Sequence, residues 1–268
     1  MDQYFENNRQ LWNRRTSLHR DTDFYDLQGF KEGKSALKSI EKEALGNVEG
    51  KSLLHLQCHF GLDSLSWERL GARVTAVDFS EEAIKLAQQL RDEQQLQTEF
   101  ICANVYDLPQ HLDRSFDIVF TSYGVICWLP DLKHWGELVA RYLKPGGVFY
   151  MVEFHPMVMM FDEVNGDLKY SYFHENEPHT QQVEYTYANP QEALDHKEHS
   201  WNHSLAETVN ALTEQGLIIK ELQEYPFSSY NCFSNMELDE DGYYYEKHRK
   251  GKMPLMFSIK AQAPSRKV

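Results

Sequence analysis

Between Ser52 and Ser80 the chain reads SLLHLQCHFGLDSLSWERLGARVTAVDFS, and few architectures accept that order of residues. Ser52 to Gln57 is a short apolar run, and Cys58 to Gly61 is a turn. Leu62 to Leu70 is a helical stretch that Gly71 stops, and Val74 to Val77 is a second apolar run ending in Asp78. Strand, turn, helix, strand and acid make a βαβ unit, in which the two strands lie parallel and the helix crosses over them. In open parallel sheets a ligand lies over the carboxyl ends of the strands. A glycine turn lets it approach the backbone, and an acid ending the second strand takes ribose hydroxyls. Gly61 and Asp78 are therefore the first candidate binding residues, with the amides of Gln57, Cys58 and His59 beside them. The turn carries one glycine where a dinucleotide fingerprint has three, so a buried βαβ unit without a ligand is the competing reading of this stretch alone.

The alternation continues downstream. Ser80 caps the next helix, Glu81 and Glu82 suit the positive end of its dipole, and Ala83, Ile84, Ala87 and Leu90 mark its apolar face. Thr98 to Ala103 reads as a third strand and Phe116 to Thr121 as a fourth, apolar on both faces as a covered parallel strand should be. Leu132, Trp135, Leu138, Val139 and Tyr142 fall at helical spacing, Lys144 to Gly147 end that helix, and Val148 to Phe154 is a fifth strand. This order predicts an α/β fold, a doubly wound and mostly parallel sheet with helices on both faces.

The flanks differ. Up to Gly46 the pattern gives two helices around the loop HRDTDFYDLQGF, which suits a lid as well as a packed connector. From Pro156 to Trp201 alternating segments, among them Leu168 to Phe173 and Gln182 to Tyr187, predict an antiparallel insertion. Ser204 and Glu207 form a capping-box pair before a helix that Gly216 ends. Leu217 to Leu222 and Leu255 to Ala261 read as two more strands, joined by the long aromatic connection Tyr225 to Pro254.

Charge narrows the partners. A formal net charge of −14 disfavours nucleic acid and anionic lipid, and the basic run around His248, Arg249 and Lys250 is short. No apolar run approaches the roughly 20 residues of a membrane helix, and the N-terminal MDQYFENNRQ lacks the apolar stretch of a secretion signal. A cytoplasmic protein is expected. Cys58, Cys102, Cys127 and Cys232 are too far apart for a disulfide framework or zinc ribbon. His55, Cys58 and His59 are close in sequence, but on a strand end and its turn they point in different directions, so no metal is expected there.

Together these features resemble a class I S-adenosylmethionine-dependent methyltransferase, by motif over roughly Lys51 to Phe154 and by element order as far as Ala261. The family's first strand ends in an acid-x-Gly-x-Gly-x-Gly turn; here those positions read His55, Gln57, His59 and Gly61, and HLQCHFG resembles a variant found in one bacterial branch. The resemblance implies that Gln57, Cys58, His59 and Gly61 face the cofactor, that Asp78 binds its ribose, and that Phe79 packs on its adenine. Asn104 and Val105, ahead of Asp107-Leu108-Pro109, then read the adenine edge, and Ser122 with Tyr123 stand at the carboxyl end of the fourth strand. LKPGG, Leu143 to Gly147, is the turn before the fifth strand, and the family's sheet closes with an antiparallel pair. The implied organisation is an N-terminal helical cap over 1–46, a cofactor-binding core over 47–155, an insertion near the substrate pocket over 156–202, and a C-terminal part over 203–268 completing the same sheet.

The implied reaction is methyl transfer from S-adenosyl-L-methionine to a small-molecule acceptor by in-line displacement, which asks the protein for orientation and exclusion of water. His155 is the first candidate for a general base, with Tyr123 and Glu153 in reserve. The N-terminal His19, Phe24 and Tyr25 and the aromatic segment Tyr225 to Tyr245 are expected to close the acceptor pocket, while Trp128 is expected to pack on the next helix, with lining of that pocket as its other reading. Competing readings are a catalytically silent adenosylmethionine-binding protein and a dinucleotide-dependent oxidoreductase.

Overall fold

The computed structural model describes residues 3–162, 166–189, 191–233, 235–247 and 251–265; the basic run His248, Arg249 and Lys250 lies outside them. Its centre is a seven-stranded sheet. The chain enters through α1 (Gln3–His19), a short α2 (Leu27–Lys31) and α3 (Ser39–Leu45), and then alternates as expected. The order is β1 (Ser52–Leu56), α4 (Leu62–Arg69), β2 (Arg73–Asp78), α5 (Glu81–Glu93), β3 (Glu99–Cys102), β4 (Phe116–Ser122), α6 (Leu132–Tyr142) and β5 (Leu143–Phe154). A hairpin of β6 (His179–Val183) and β7 (His196–Ser200) precedes α7 (Leu205–Thr213) and β8 (Ile218–Tyr225). A second small hairpin, β9 (Met236–Leu238) and β10 (Tyr244–Glu246), precedes β11 (Met256–Gln262).

The sheet order is β3-β2-β1-β4-β5-β11-β8. The first five strands pair in parallel, while β11 runs antiparallel to both β5 and β8. The doubly wound, mostly parallel seven-stranded sheet with its antiparallel end is therefore present as the sequence implied. Strands covered on both faces must be apolar throughout, and Leu53, Leu54, Leu56, Val119, Phe120, Met151 and Val152 are all fully buried. One face packs α6 and α7 through Trp135, Leu138, Tyr142, Ala211 and Leu212. The other packs α3, α4 and α5 through Leu45, Leu65, Trp67, Ala83 and Leu90. Leu37 and Leu45 join that second core, so α3 packs against the sheet.

Local chemistry fixes the element ends. Ser80 Oγ accepts from the Ala83 amide at 3.1 Å and caps α5. Gly61 caps α4 at φ +78°, and a Cβ there would sit 2.6 Å from the Phe100 ring, so only glycine lets helix and sheet close this tightly. On the opposite face a Cβ on Gly136 would lie 2.0 Å from the Ala211 carbonyl oxygen, where α6 and α7 cross. Four expectations need correction. Leu168 to Phe173 makes a single bridge to Phe161 rather than a strand, and the insertion's hairpin starts at His179 instead of Gln182. The LKPGG segment belongs to β5, whose pairing with β4 shifts register between Phe116 and Ile118. Of the capping-box pair only half forms: Ser204 Oγ accepts from the Glu207 amide, but the Glu207 carboxylate turns to His203. Among the described residues no helix is long and apolar enough to cross a membrane.

Candidate functional site

A crevice of about 1190 Å³ opens at the carboxyl ends of β1, β2 and β4. Single-ligand pockets run to roughly 300–1,000 Å³, so this one has room for two reactants. Its floor is the turn after β1. Gln57 and His59 hold φ of +56° and +51°, and Gly61 holds +78°. These are the three positions where the resemblance expects glycine, and all three keep the left-handed backbone although two carry side chains. That conformation costs a non-glycine residue roughly 1–2 kcal/mol, so the surroundings must hold it in place. Gln57 Nε2 donates to the Val125 carbonyl at 2.9 Å, and the His59 amide donates to Asp78 Oδ2 at 2.8 Å.

The turn also presents unsatisfied polar atoms. Gln57 Oε1, His55 Nε2 and His59 Nδ1 are buried without a hydrogen-bond partner, an unusual concentration in one short segment. All three residues line the crevice. Burial pushes His55 down to about 3, and its Nδ1 lies 2.7 Å from Ser64 Oγ. The family's acid is thus replaced by a neutral imidazole. An acid returns at Asp63 in the first turn of α4, half-buried and facing the crevice, where Ser122 Oγ donates to it at 3.0 Å. Desolvation raises its pKa.

Asp78 ends β2 beside this floor. Burial raises its carboxyl from 3.8 to about 6, against the pull of the Ser80 and His59 amides. Phe79, Asn104 and Val105 line the same side, and Asn104 Oδ1 accepts from the Tyr106 amide at the start of a 3-10 turn. Of the expected cofactor residues, Gln57, Cys58, His59, Gly61, Asp78, Phe79, Asn104, Val105 and Ser122 are all brought to the one crevice.

The expected catalytic residues are dispersed. His155 does not line the crevice; it lies against Phe257 of β11, with Nε2 2.9 Å from Glu224 Oε1 and Nδ1 accepting from the Met157 amide. Its position one residue past β5 carries it to the antiparallel side of the sheet. Glu153 is also withdrawn, because its carboxylate accepts the amides of Gly124, Val125, Ile126 and Phe154 and so anchors the loop after β4. Tyr123 does line the crevice, at φ +40°, but its hydroxyl donates to buried Glu41 at 2.8 Å. Burial and that carboxylate push the Tyr123 hydroxyl up, while burial and Asp63 push Glu41 up to about 7.

Aromatic side chains form the roof. The Trp12 ring of α1 meets His59 and Trp128 edge-on, at 5.2 and 5.3 Å between centroids. Tyr25 packs on Phe60 and its hydroxyl lies 2.6 Å from that of Tyr187 in the insertion. His19 Nδ1 is 3.2 Å from His59 Nε2, and enclosure pushes His19 and His59 down to about 2 and about 3, so both are neutral. Arg15 pairs with Glu198 of β7 at 2.5 Å and lies over the Trp12 and Trp128 rings. Phe24, Tyr230 and Tyr244 complete the enclosure from the segments expected to do so. Sequence reasoning missed Asp63, Arg15, Glu198 and Tyr187. For Asp63 a signal existed, in that the acid absent at position 55 reappears eight residues later; for the others the contact is made only by folding.

Residues 54–151 match the family described as a methyltransferase domain. Among curated proteins the chain is similar to the ubiquinone biosynthesis O-methyltransferase of Xanthomonas oryzae pv. oryzae, 31% identical over 131 residues, 48% of this chain and 54% of that protein. It is also similar to the enzyme of the same name from Idiomarina loihiensis, 34% identical over 121 residues, 42% of this chain and 49% of that protein. The chain spans about half the length of these curated relatives. Among solved structures it resembles an S-adenosylmethionine-dependent methyltransferase from Clostridium acetobutylicum, with a TM-score of 0.58 at 17% identity over 92% of this chain and 94% of that one. A glycopeptide N-methyltransferase complexed with S-adenosylmethionine superposes with a TM-score of 0.54 at 16% identity, over 84% of this chain and 92% of that one.

Proposed function

We propose that this chain, by its domain and its sheet, is a class I S-adenosylmethionine-dependent methyltransferase that transfers the methyl group of that cofactor to a small, partly apolar acceptor. The observation carrying the reading is the β1 turn, which keeps the glycine backbone at Gln57, His59 and Gly61 and offers three orphaned buried polar atoms to a ligand. The bound cofactor supplies a sulfonium whose methyl carbon accepts a nucleophile's lone pair while the carbon–sulfur electrons return to sulfur.

Residues of this chain do the positioning. Asp78 takes the ribose hydroxyls, Phe79 packs on adenine, and Asn104 with Val105 meets the base edge. Asp63 faces the crevice with a single hydroxyl donor among the described residues, and it suits the ammonium of the cofactor's amino-acid end. The aromatic roof excludes water and lines the remaining volume, where the acceptor sits. The names of the relatives, both O-methyltransferases, make an oxygen nucleophile the first acceptor to try. A base is required only for an acceptor that is protonated at working pH. His59 lines the crevice with His19 behind it, their ring nitrogens 3.2 Å apart, whereas His155 does not line it.

The test is thermal and isothermal titration of the purified chain with S-adenosylmethionine and S-adenosylhomocysteine. At a hundredfold excess over Kd, binding adds about 2.7 kcal/mol of stability. Asp78→Ala is expected to abolish that gain, and His155→Gln to keep it. A wild-type protein that ignores both nucleosides and responds to NAD(H) sinks the proposal. Binding without turnover over phenols, amines and thiols makes the chain a silent binder instead.

A further inference from the structure

Outside the crevice, a nitrogen of His174, a nitrogen of His203 and a carboxylate oxygen of Glu207 lie within 4.8 Å of one another. His203 is fully enclosed and Glu207 about one third exposed. His203 Nε2 stands 2.7 Å from the Leu129 carbonyl, which can only accept, so Nε2 carries the hydrogen. That bond fixes the tautomer and leaves Nδ1 as a lone pair, 3.0 Å from Glu207 Oε1. Two acceptors at that distance repel unless something positive lies between them. The His174 ring is stacked on His203 at 4.9 Å and 12°, and its Nδ1 is buried with no hydrogen-bond partner.

A proton between His203 and Glu207 answers that pair but leaves His174 Nδ1 unsatisfied; a metal cation answers all three. We propose that His174, His203 and Glu207 form a site for a borderline divalent cation such as zinc. Two imidazoles and one carboxylate are the donor set such ions take, and a histidine ligand whose other N–H is held by a backbone carbonyl is the usual outer-shell arrangement. Magnesium and calcium prefer all-oxygen sites. The exposed flank of Glu207 leaves a coordination position for water. The Glu207 carboxylate gives up the reciprocal half of its capping box to face His203, consistent with a role beyond helix initiation.

The position gives the site its purpose. His174 belongs to the insertion, His203 and Glu207 to the start of α7, and Leu129 to the crevice wall. Neighbouring bonds already dock the two segments: Asn202 Nδ2 donates to the Ser171 carbonyl at 2.6 Å, and the Leu205 amide to Tyr172 Oη at 3.3 Å. A cation there ties the insertion to the sheet domain, independently of methyl transfer.

The test is equilibrium dialysis of chelator-stripped full chain against zinc, with metal read by atomic absorption and stability by thermal melting. One zinc per chain and a raised Tm are expected. His203→Gln and Glu207→Gln should abolish binding, and His174→Asn, on a surface segment that need not perturb folding, should weaken it more than about tenfold. His59→Ala, in the other histidine cluster, should retain it. Circular dichroism checks that each variant is folded. No stoichiometric zinc in the wild type overturns the site, as does zinc that survives His174→Asn unchanged or is lost with His59→Ala.

Discussion

Asp78 combines two demands that oppose each other. Burial raises its carboxyl to about 6, so the folded chain holds that proton above the pH at which the unfolded chain releases it. A raised carboxyl contributes stability that is complete below 3.8 and lost as pH rises through about 6. Ribose hydroxyls, by contrast, donate to the ionised form. The proposed nucleoside is therefore expected to bind more tightly as pH rises from 5 to 7, by up to about tenfold per unit below the pKa. Calorimetric Kd values for S-adenosylhomocysteine across that window check it, and a profile as flat as that of Asp78→Asn would refute the assignment. Gln57 poses a simpler question. Gln57→Gly relieves the left-handed strain but loses the bond to Val125, two changes of about 1 kcal/mol each that nearly cancel. Gln57→Val keeps the strain, adds a branched Cβ and loses the bond. Urea denaturation should rank the glycine variant above the valine variant by at least about 1 kcal/mol.

At the scale of elements, legibility followed the kind of surface each segment buries. β1, β4 and β5 are covered on both faces, so their apolar runs announce them, and the Ser80 cap with the stripe Ala83, Ile84, Ala87, Leu90 announces α5. β6 and β7 read HTQQV and HKEHS, polar segments that pair His179 with Ser200 across a long connection, and no local pattern encodes that register. The contact of Gly136 with the Ala211 carbonyl is similarly invisible until α6 and α7 meet. The candidate site divides along the same line. Asp78, Phe79 and Asn104 sit at strand ends, where spacing determines position. His155 sits one residue beyond a strand, where the direction of a single side chain decides between crevice and sheet edge. Glu153 carries no sign in sequence that four amides will claim its carboxylate.

For the molecule as a whole, α1 is the bridge. It packs on α5 of the sheet domain and on β7 of the insertion, and its Arg15 reaches Glu198 inside that contact. Removing one partner of a buried pair leaves the other charged and unpaired, typically at a cost of about 3–5 kcal/mol. Arg15→Ala is thus expected to loosen the roof before the sheet: amide hydrogen exchange should accelerate in 179–200 while β1 and β4 stay protected. Equal acceleration in both would mean that roof and sheet unfold as one unit. The floor behaves differently, because Asp78 Oδ2 holds the His59 amide. The acid proposed to select the sugar and the loop proposed to meet the amino-acid end are one mechanical piece, and displacing either drags the other. Changes at Asp78 and His59 are consequently expected to be non-additive in affinity for the proposed cofactor, with a coupling term that neither residue carries alone.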